Sequence, residues 1–456
     1  MNAYRTRRKD GFAPVFFSGY IAGPDGAVLF HLQTEHFVSL SVSTTGKSAW
    51  TGTLSLVDRY GVGMSRAVYT PGQCTVVMRW RFDDPWSDDD TDALTYKGLI
   101  ARPSLRFTAE GITADLELVG IESVDARLGA ESVPREFAGK SASEVVEAIC
   151  TAMSSLRPGT FWHEPVIQES DDYPTDWVIP SGQSHWDFIN STLLESACKA
   201  MFPPGESDRC VGFDPFVCYV DPRQNRLHFH TAKYDPESGS DTSYRMETGE
   251  YVVYADGAGD VISFDPEDAA VQALLAGGLS YRGTGVNSDD GRPVDLAYYA
   301  TAGVERNPTT FDGAGVRTSH EEAVHAIDYT KQTANAKPVA GRTEQHVLGA
   351  ARAEGGAATM GLLKADLTVK GTHDHSFFDI IYVRYFDHTG AKNYLSGFYS
   401  IVGIEHEVSG NGWTTRLSLV RSGFRRTTGA TQQVGSTPGG AGSAEFYAYE
   451  PGDQES

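Results

Sequence analysis

Two pairs of histidines, His373 with His375 and His228 with His230, stand two residues apart. That spacing turns both imidazoles to one face of a strand and could offer them to a metal ion. Zinc takes three or four ligands, and neither pair has a C-x-x-C or H-E-x-x-H companion, so no metal is assigned to either. Asp88, Asp90 and Asp92 match the first three ligand positions of a calcium loop. Ala93 then stands where the sharp turn needs glycine, and Leu99 where a bidentate glutamate belongs, so the acidic run at 83–92 reads as a solvated hairpin tip.

There is no G-x-S-x-G elbow and no Walker loop, and Gly283-Thr284-Gly285 lacks a third glycine and reads as a turn. With 60 acidic residues some carboxylate pair is inevitable, so chance explains any that could be drawn for glycoside hydrolysis. The aromatics of Phe161-Trp162-His163 and of Phe213 to Phe216 could contact sugars or bases. Their Pro and Gly neighbours make them loop anchors, and a protein partner suits them better. No catalytic, cofactor-binding or metal-ligating residue is assigned, and no cofactor.

The elements that would position such residues are mostly strands. At 456 residues the chain exceeds one small core and predicts two to four domains. Its 48 glycines and few long apolar runs favour strands and turns. A net charge of -22 disfavours uniform binding to nucleic acid phosphates; it suits either plain solubility or, more pointedly, an acidic conduit past which a polyanion slides. No run approaches the roughly 18 apolar residues that cross a bilayer, and the basic stretch Tyr4 to Asp10 leads into no apolar signal core. The chain is therefore expected without stable membrane insertion. Five widely spaced cysteines (Cys74, Cys150, Cys198, Cys210, Cys218) predict reduced, mostly buried thiols.

Period-two alternation predicts strands with Val38, Leu40 and Val42 on one face, then Trp50, Leu54 and Leu56 after a turn at 44–47. It predicts further strands with Cys74, Val76, Met78, Trp80 and Phe82 inward, and with Ile112, Ala114, Leu116 and Leu118 inward. Ser141 with Glu144 reads as a capping box opening a helix with Val145, Val146, Ile149 and Met153, stopped by Pro158-Gly159. Ser184 and Asp187 open a second helix bearing Ile189, Leu193, Ala197 and Met201. A strand at 177–179 and a hairpin across 221–225 complete a small α/β module. Strands are expected within 261–300, 367–370 and 379–386, a loop at 302–315, weak helix at 343–363 and a Gly/Ser/Thr/Pro tether at 427–443. The aromatics Phe446, Tyr447 and Tyr449 beyond it read as a docking peptide.

The last strands are the clearest. Val402, Ile404, His406 and Val408, then Trp413, Thr415, Leu417 and Leu419, alternate on either side of Ser409-Gly410-Asn411-Gly412, a tight hairpin. Preceded by Tyr399 and ending in Thr414-Thr415-Arg416-Leu417, this hairpin resembles the final strands of the tube-forming barrel in contractile-tail baseplate hub proteins. That family takes in late-control D proteins and the amino-terminal part of type VI secretion spike proteins. Residues 50–60, 74–82 and 95–120 resemble its first tube barrel. Residues 137–153 resemble the helix opening its second domain, and 186–201 with 227–231 that domain's aromatic-anchored helix and closing strand. Residues 260–266 and 367–383 resemble its second barrel. Thr372-His373-Asp374-His375 departs from the family's Pro-containing turn and Gly-Asp pair, of which Asp379 remains.

The resemblance implies a mainly β, α+β fold: two similar antiparallel β-barrel tube domains plus a small α/β domain. The expected divisions are a first barrel at 1–130, the α/β domain at 131–258, a second barrel at 259–424 with an insertion at about 302–362, and a tether at 425–456. It implies a structural, non-enzymatic baseplate hub in the virion tail, assembled in the host cytoplasm. As a homotrimer it would adapt a sixfold tail tube to a threefold central spike and form the channel for genome ejection. The implied partners are the tail tube, the central spike, other baseplate proteins and the tape-measure protein, with DNA only in transit. The rival expectation is a tail-associated peptidoglycan or polysaccharide hydrolase whose α/β module carries the chemistry, and a third is a carbohydrate-binding β protein.

Overall fold

The computed structural model describes residues 16–45, 48–59, 63–70, 75–81, 93–108, 111–123, 135–156, 163–171, 175–194, 197–201, 212–224, 226–231, 234–235, 239–241, 247–253, 260–268, 279–286, 293–300, 325–328, 336–337, 363–386, 395–410 and 412–421. The opening region forms β1 (Phe16–Ala22), β2 (Val28–Gln33), β3 (Phe37–Thr45), β4 (Ser48–Asp58), a short helix Met64–Val68, β5 (Thr75–Arg81), β6 (Ala93–Thr108) and β7 (Gly111–Gly120). Alternation drives their burial: Leu40, Val42, Trp50, Leu54, Leu56, Val76, Met78, Trp80, Ala114, Leu116 and Leu118 all face one core. Val38 does not join them. A register shift between Phe37 and Ser39 breaks the alternation, and Val38 is left exposed. Cys74, Phe82 and the acidic run at 83–92 lie outside the described residues, whereas Ala93 and Leu99 are buried residues of β6.

The middle region holds β8 (Arg135–Lys140), a helix Ala142–Leu156, β9 (His163–Ile167), β10 (Thr175–Ile179), a helical turn His185–Phe188, β11 (Cys198–Met201), β12 (Gly212–Asp221), β13 (Arg226–Thr231), β14 (Tyr234–Asp235) and β15 (Ser240–Asp241). The capping box forms: the Ser141 amide donates to Glu144 Oε2 at 2.7 Å and the Glu144 amide to Ser141 Oγ at 3.4 Å. Phe137, expected at the head of this helix, belongs to β8 instead. Ser184 caps the second helix through the Asp187 amide, but the helix widens into a π turn at Ile189–Leu193 and stops. Ala197 makes a last helical bond to Leu193, and residues 198–201, Met201 included, pair as a strand with β12. Available strand partners there outweigh a helical stripe of apolar residues. The aromatic segment 213–216 is likewise strand, not loop anchor, with Phe216 packed on Phe229 at 4.9 Å. Phe161 and Trp162 lie outside the described residues, and His163 opens β9. Cys150 and Cys218 are buried in this core.

The closing region forms β16 (Glu247–Val253), β17 (Val261–Asp268), β18 (Leu279–Val286), β19 (Pro293–Ala300), β20 (His325–Asp328), β21 (Ala336–Lys337), β22 (Leu363–Lys370), β23 (Ile380–Tyr385), β24 (Gly397–Ser409) and β25 (Gly412–Arg421). Gly283-Thr284-Gly285, expected as a turn, lies within β18, flanked by β19 and β20. The expected loop at 302–315, residues 343–362 of the expected helix and the tether at 425–456 lie outside the described residues. Leu363, placed at that helix's end, opens β22. The final hairpin forms as expected, with Ser409 opposite Gly412 and Trp413, Thr415, Leu417 and Leu419 buried. Val402 leaves its predicted face because a register shift between Ile401 and Gly403 inserts it as an extra residue.

The architecture is predominantly antiparallel β with few helices. Strands expected in two barrels run through one 13-stranded sheet in the order β17-β22-β25-β24-β3-β4-β7-β6-β5-β1-β2, with β23 beside β24 and β16 beside β23. The join is β24 on β3, from Gly403 opposite Thr45 to Ser409 opposite Ser39. Among the described residues the three largest cores lie one per region, and two are shared: Val408 and Trp413 complete the first, and Tyr219 of β12 enters the third.

Candidate functional site

The three regions meet at a buried polar seam that no catalytic motif announces. Its first part is the turn between β12 and β13. Asp221 is buried and takes Arg223 Nη2 at 2.9 Å and the Arg223 amide at 2.9 Å. Ser376 Oγ, 155 residues farther along, donates to the same carboxylate at 2.9 Å. Burial pushes the Asp221 carboxyl up, but the charge and hydrogen bonds of Arg223 outweigh it and hold the group down at about 2. Arg223 also donates to the Asp374 carbonyl at 3.3 Å, and Asp379 accepts the Ser376 amide at 2.7 Å. The stretch from Gly371 to Asp379 is thus tied to the β12–β13 turn.

That stretch turns sharply. Phe378 has φ 63°, a left-handed conformation that only tertiary contacts sustain in a bulky residue, and its amide bonds the Ile401 carbonyl at 2.7 Å. His373 and His375 accordingly diverge rather than sharing a strand face. His373 lies over Trp413 with centroids 6.5 Å apart, whereas His375 Nε2 meets the Tyr251 hydroxyl at 2.5 Å. His228 and His230 do share one face of β13, both buried. His228 stacks on Tyr219 at 5.0 Å, and His230 Nε2 lies 3.3 Å from the Tyr219 hydroxyl. Among the described residues no group of three or more His, Cys, Asp or Glu converges as metal ligands.

The second part joins the sheet to the module. The Thr95 amide of β6 bonds the Pro222 carbonyl at 2.9 Å. Beside it, Trp50, Thr95, Tyr96, Lys97, Ile121, Glu122, Val220 and Pro222 enclose a cavity of about 10 Å³. An aromatic chain leads away from it: Trp50 edge-on to Tyr96, Tyr96 stacked on Trp80 at 5.1 Å, then Trp80 edge-on to His406 and Trp413. His406 is buried, which with His373 and His375 nearby pulls its pKa down to about 3, so it is neutral. Trp413 Nε1 donates to its Nδ1 at 3.3 Å, which leaves the proton on Nε2.

The opposite face of the sheet is polar. Ser39, Ser41 and Ser43 of β3, Thr51 and Thr53 of β4 and Glu405 and Glu407 of β24 alternate with the buried set. Its ion pairs include Arg416 Nη2 on Asp366 at 2.6 Å and Arg102 near Glu117 at 3.9 Å. Such a wall offers hydroxyls and short-range ion pairs but little apolar grip. Glu122, Asp221, Arg223 and Ser376 escaped the sequence reading because each is an ordinary polar residue whose partner is far along the chain. The Asp-Pro-Arg of the 221–223 turn and the glycines at 98 and 120 were the available signals.

No family model matches the chain, and no curated protein matches it. Among solved structures, the tail protein from Neisseria meningitidis MC58 aligns with TM-score 0.51 at 10% identity, over 89% of this chain and 96% of that one. The 43 kDa tail protein of prophage MuSo2 from Shewanella oneidensis aligns with TM-score 0.47 at 12% identity, over 89% and 98%. The prophage tail protein gp18 from Listeria monocytogenes EGD-e gives 0.43 at 11% identity, over 88% and 94%. The chain shares the overall fold of the first of these.

Proposed function

We propose that this chain is a structural hub of a phage-like tail, working through ring geometry rather than through catalytic residues. The observation that carries the reading is the β24–β3 join. It sets four strands of the closing region (β24, β25, β22, β17) beside four of the opening region (β3, β4, β7, β6) in one wall, buried on one side and polar on the other. Three copies of a wall with two such halves give six segments, which suits a homotrimer standing between a sixfold tail tube and a threefold spike. On this reading the first tube-like domain is 1–130, the α/β domain 131–258 and the second tube-like domain 259–424, with the tether at 425–456 reaching the spike or another baseplate protein. The polar face lines the bore through which tape-measure protein and genome pass, and the net charge of -22 keeps DNA from adhering.

Ring closure also accounts for the exposed apolar residues at the two ends of the strand path, Val28 and Leu29 on β2 and Ile262 on β17. Electron-microscope class averages of the purified chain are expected to show a threefold annulus. The double substitution Leu29→Lys with Ile262→Lys is expected to leave the chain folded but single. A native chain that stays a single copy at high concentration, with its tube and spike partners added, would overturn the reading.

A further inference from the structure

Glu122 sits in a prepared cradle. Gly98 and Gly120 face each other across β6 and β7. A Cβ on Gly98 would fall 2.5 Å from Trp50 Cζ2, and one on Gly120 would collide with the Glu122 carboxylate. The two glycines therefore hold open the space that the Trp50 ring and the Glu122 carboxyl occupy. Glu122 is 2% exposed. Its Oε1 accepts the Trp50 amide at 3.1 Å, while its buried Oε2 has no hydrogen-bond partner among the described residues and the group borders the small cavity at the sheet–module contact.

We propose that Glu122 is a proton-operated latch: with the carboxyl neutral, the sheet closes on the β12–β13 turn through the Thr95–Pro222 bond, and ionisation loosens that contact. An ionised carboxylate with one oxygen unpartnered in a nearly dry site is the costly state, and opening to water relieves it. The ionisable groups around it are Tyr96 and Lys97 of β6, which line the same cavity, and Cys218 and Asp221 of β12, whose charged forms act on the same cluster. Burial raises the Glu122 pKa to about 7, against the pull of its own amide and that of Trp50. A raised carboxyl contributes stability that is full below its ordinary value of 4.5 and is lost as pH rises through about 7. The latch is therefore shut in mildly acidic solution and eased in mildly alkaline solution.

The test compares the full-length chain with Glu122→Gln, which keeps an acceptor for the Trp50 amide and cannot ionise. Infrared difference spectra should show a protonated-carboxyl stretch in the native chain that fades as pH rises through about 7 and is missing in E122Q. Amide exchange at Thr95, corrected for intrinsic base catalysis, should accelerate at least tenfold above that pH in the native chain and stay level in the variant. An unchanged carboxyl band, or equal Thr95 acceleration in both proteins, would overturn the proposal. Should E122Q fail to fold, the infrared titration of the native chain alone decides: no carboxyl titrating near neutrality means no latch.

Discussion

Thr44 Oγ1 donates to the carbonyl of Ile404 at 3.0 Å, across a sequence separation of 360 residues. It lies within the β24–β3 join and is buried, so the bond is made where water cannot substitute for it. The join between the two halves of the wall is thus held by a side chain as well as by the backbone ladder.

Thr44→Val keeps the shape of the side chain and removes the donor. It is expected to cost about 1–2 kcal/mol, read from the urea midpoint of the full-length chain. A variant as stable as the native chain would mean that the backbone pairing alone carries the join.

His406 predicts an acid-side effect. A histidine whose folded pKa is lowered contributes stability that is full above its ordinary 6.5 and is eroded as pH falls toward about 3. His406→Asn keeps an acceptor for Trp413 Nε1 and Thr415 Oγ1 without titrating. The fall in unfolding midpoint between pH 6.5 and 4, above the window in which the Asp221 carboxylate is lost, should be smaller in the variant.

Asp221→Asn should be among the most damaging substitutions of the seam. It leaves the Arg223 guanidinium, 28% exposed at its side chain, without the carboxylate it is hydrogen-bonded to and with only Asp379 as a nearby counter-charge, and weakens the Ser376 bond. A loss of about 3 kcal/mol is expected. In the native chain the depressed carboxyl contributes stability that is present above 3.8 and lost as pH falls through about 2. Denaturant unfolding at neutral pH and in strong acid separates the two: native and variant should converge as the acid limit is approached.

Gly371→Ala should destabilise by about 1–3 kcal/mol. An added Cβ would run into the Trp413 ring, which is buried against His406 and Trp80 and has no room to yield. Near-ultraviolet circular dichroism should register the displaced indole, whereas an unaltered spectrum and midpoint would show that the connector shifts freely.

Residue type alone was enough to place the strands that have one face in the core and the other toward water. Leu40 and Val42 against Ser41 and Ser43, or Leu417 and Leu419 against Arg416 and Ser418, carry their own burial pattern, because period two is written in residue type. Local hydrogen bonding made the Ser141–Glu144 box, the Ser184 cap and the Ser409–Gly412 turn equally legible, since donor and acceptor lie within four residues. Tertiary structure decided what depends on distant partners. The register shifts that displaced Val38 and Val402, the strand that replaced helix at 198–201, the divergence of His373 from His375 and the merging of two expected barrels through β24 and β3 each follow from pairing between separated segments. Glu122 and Asp221 are the sharpest case: their chemistry comes from burial and from Trp50, Arg223 and Ser376, and burial is a property of the assembled chain rather than of any stretch of it.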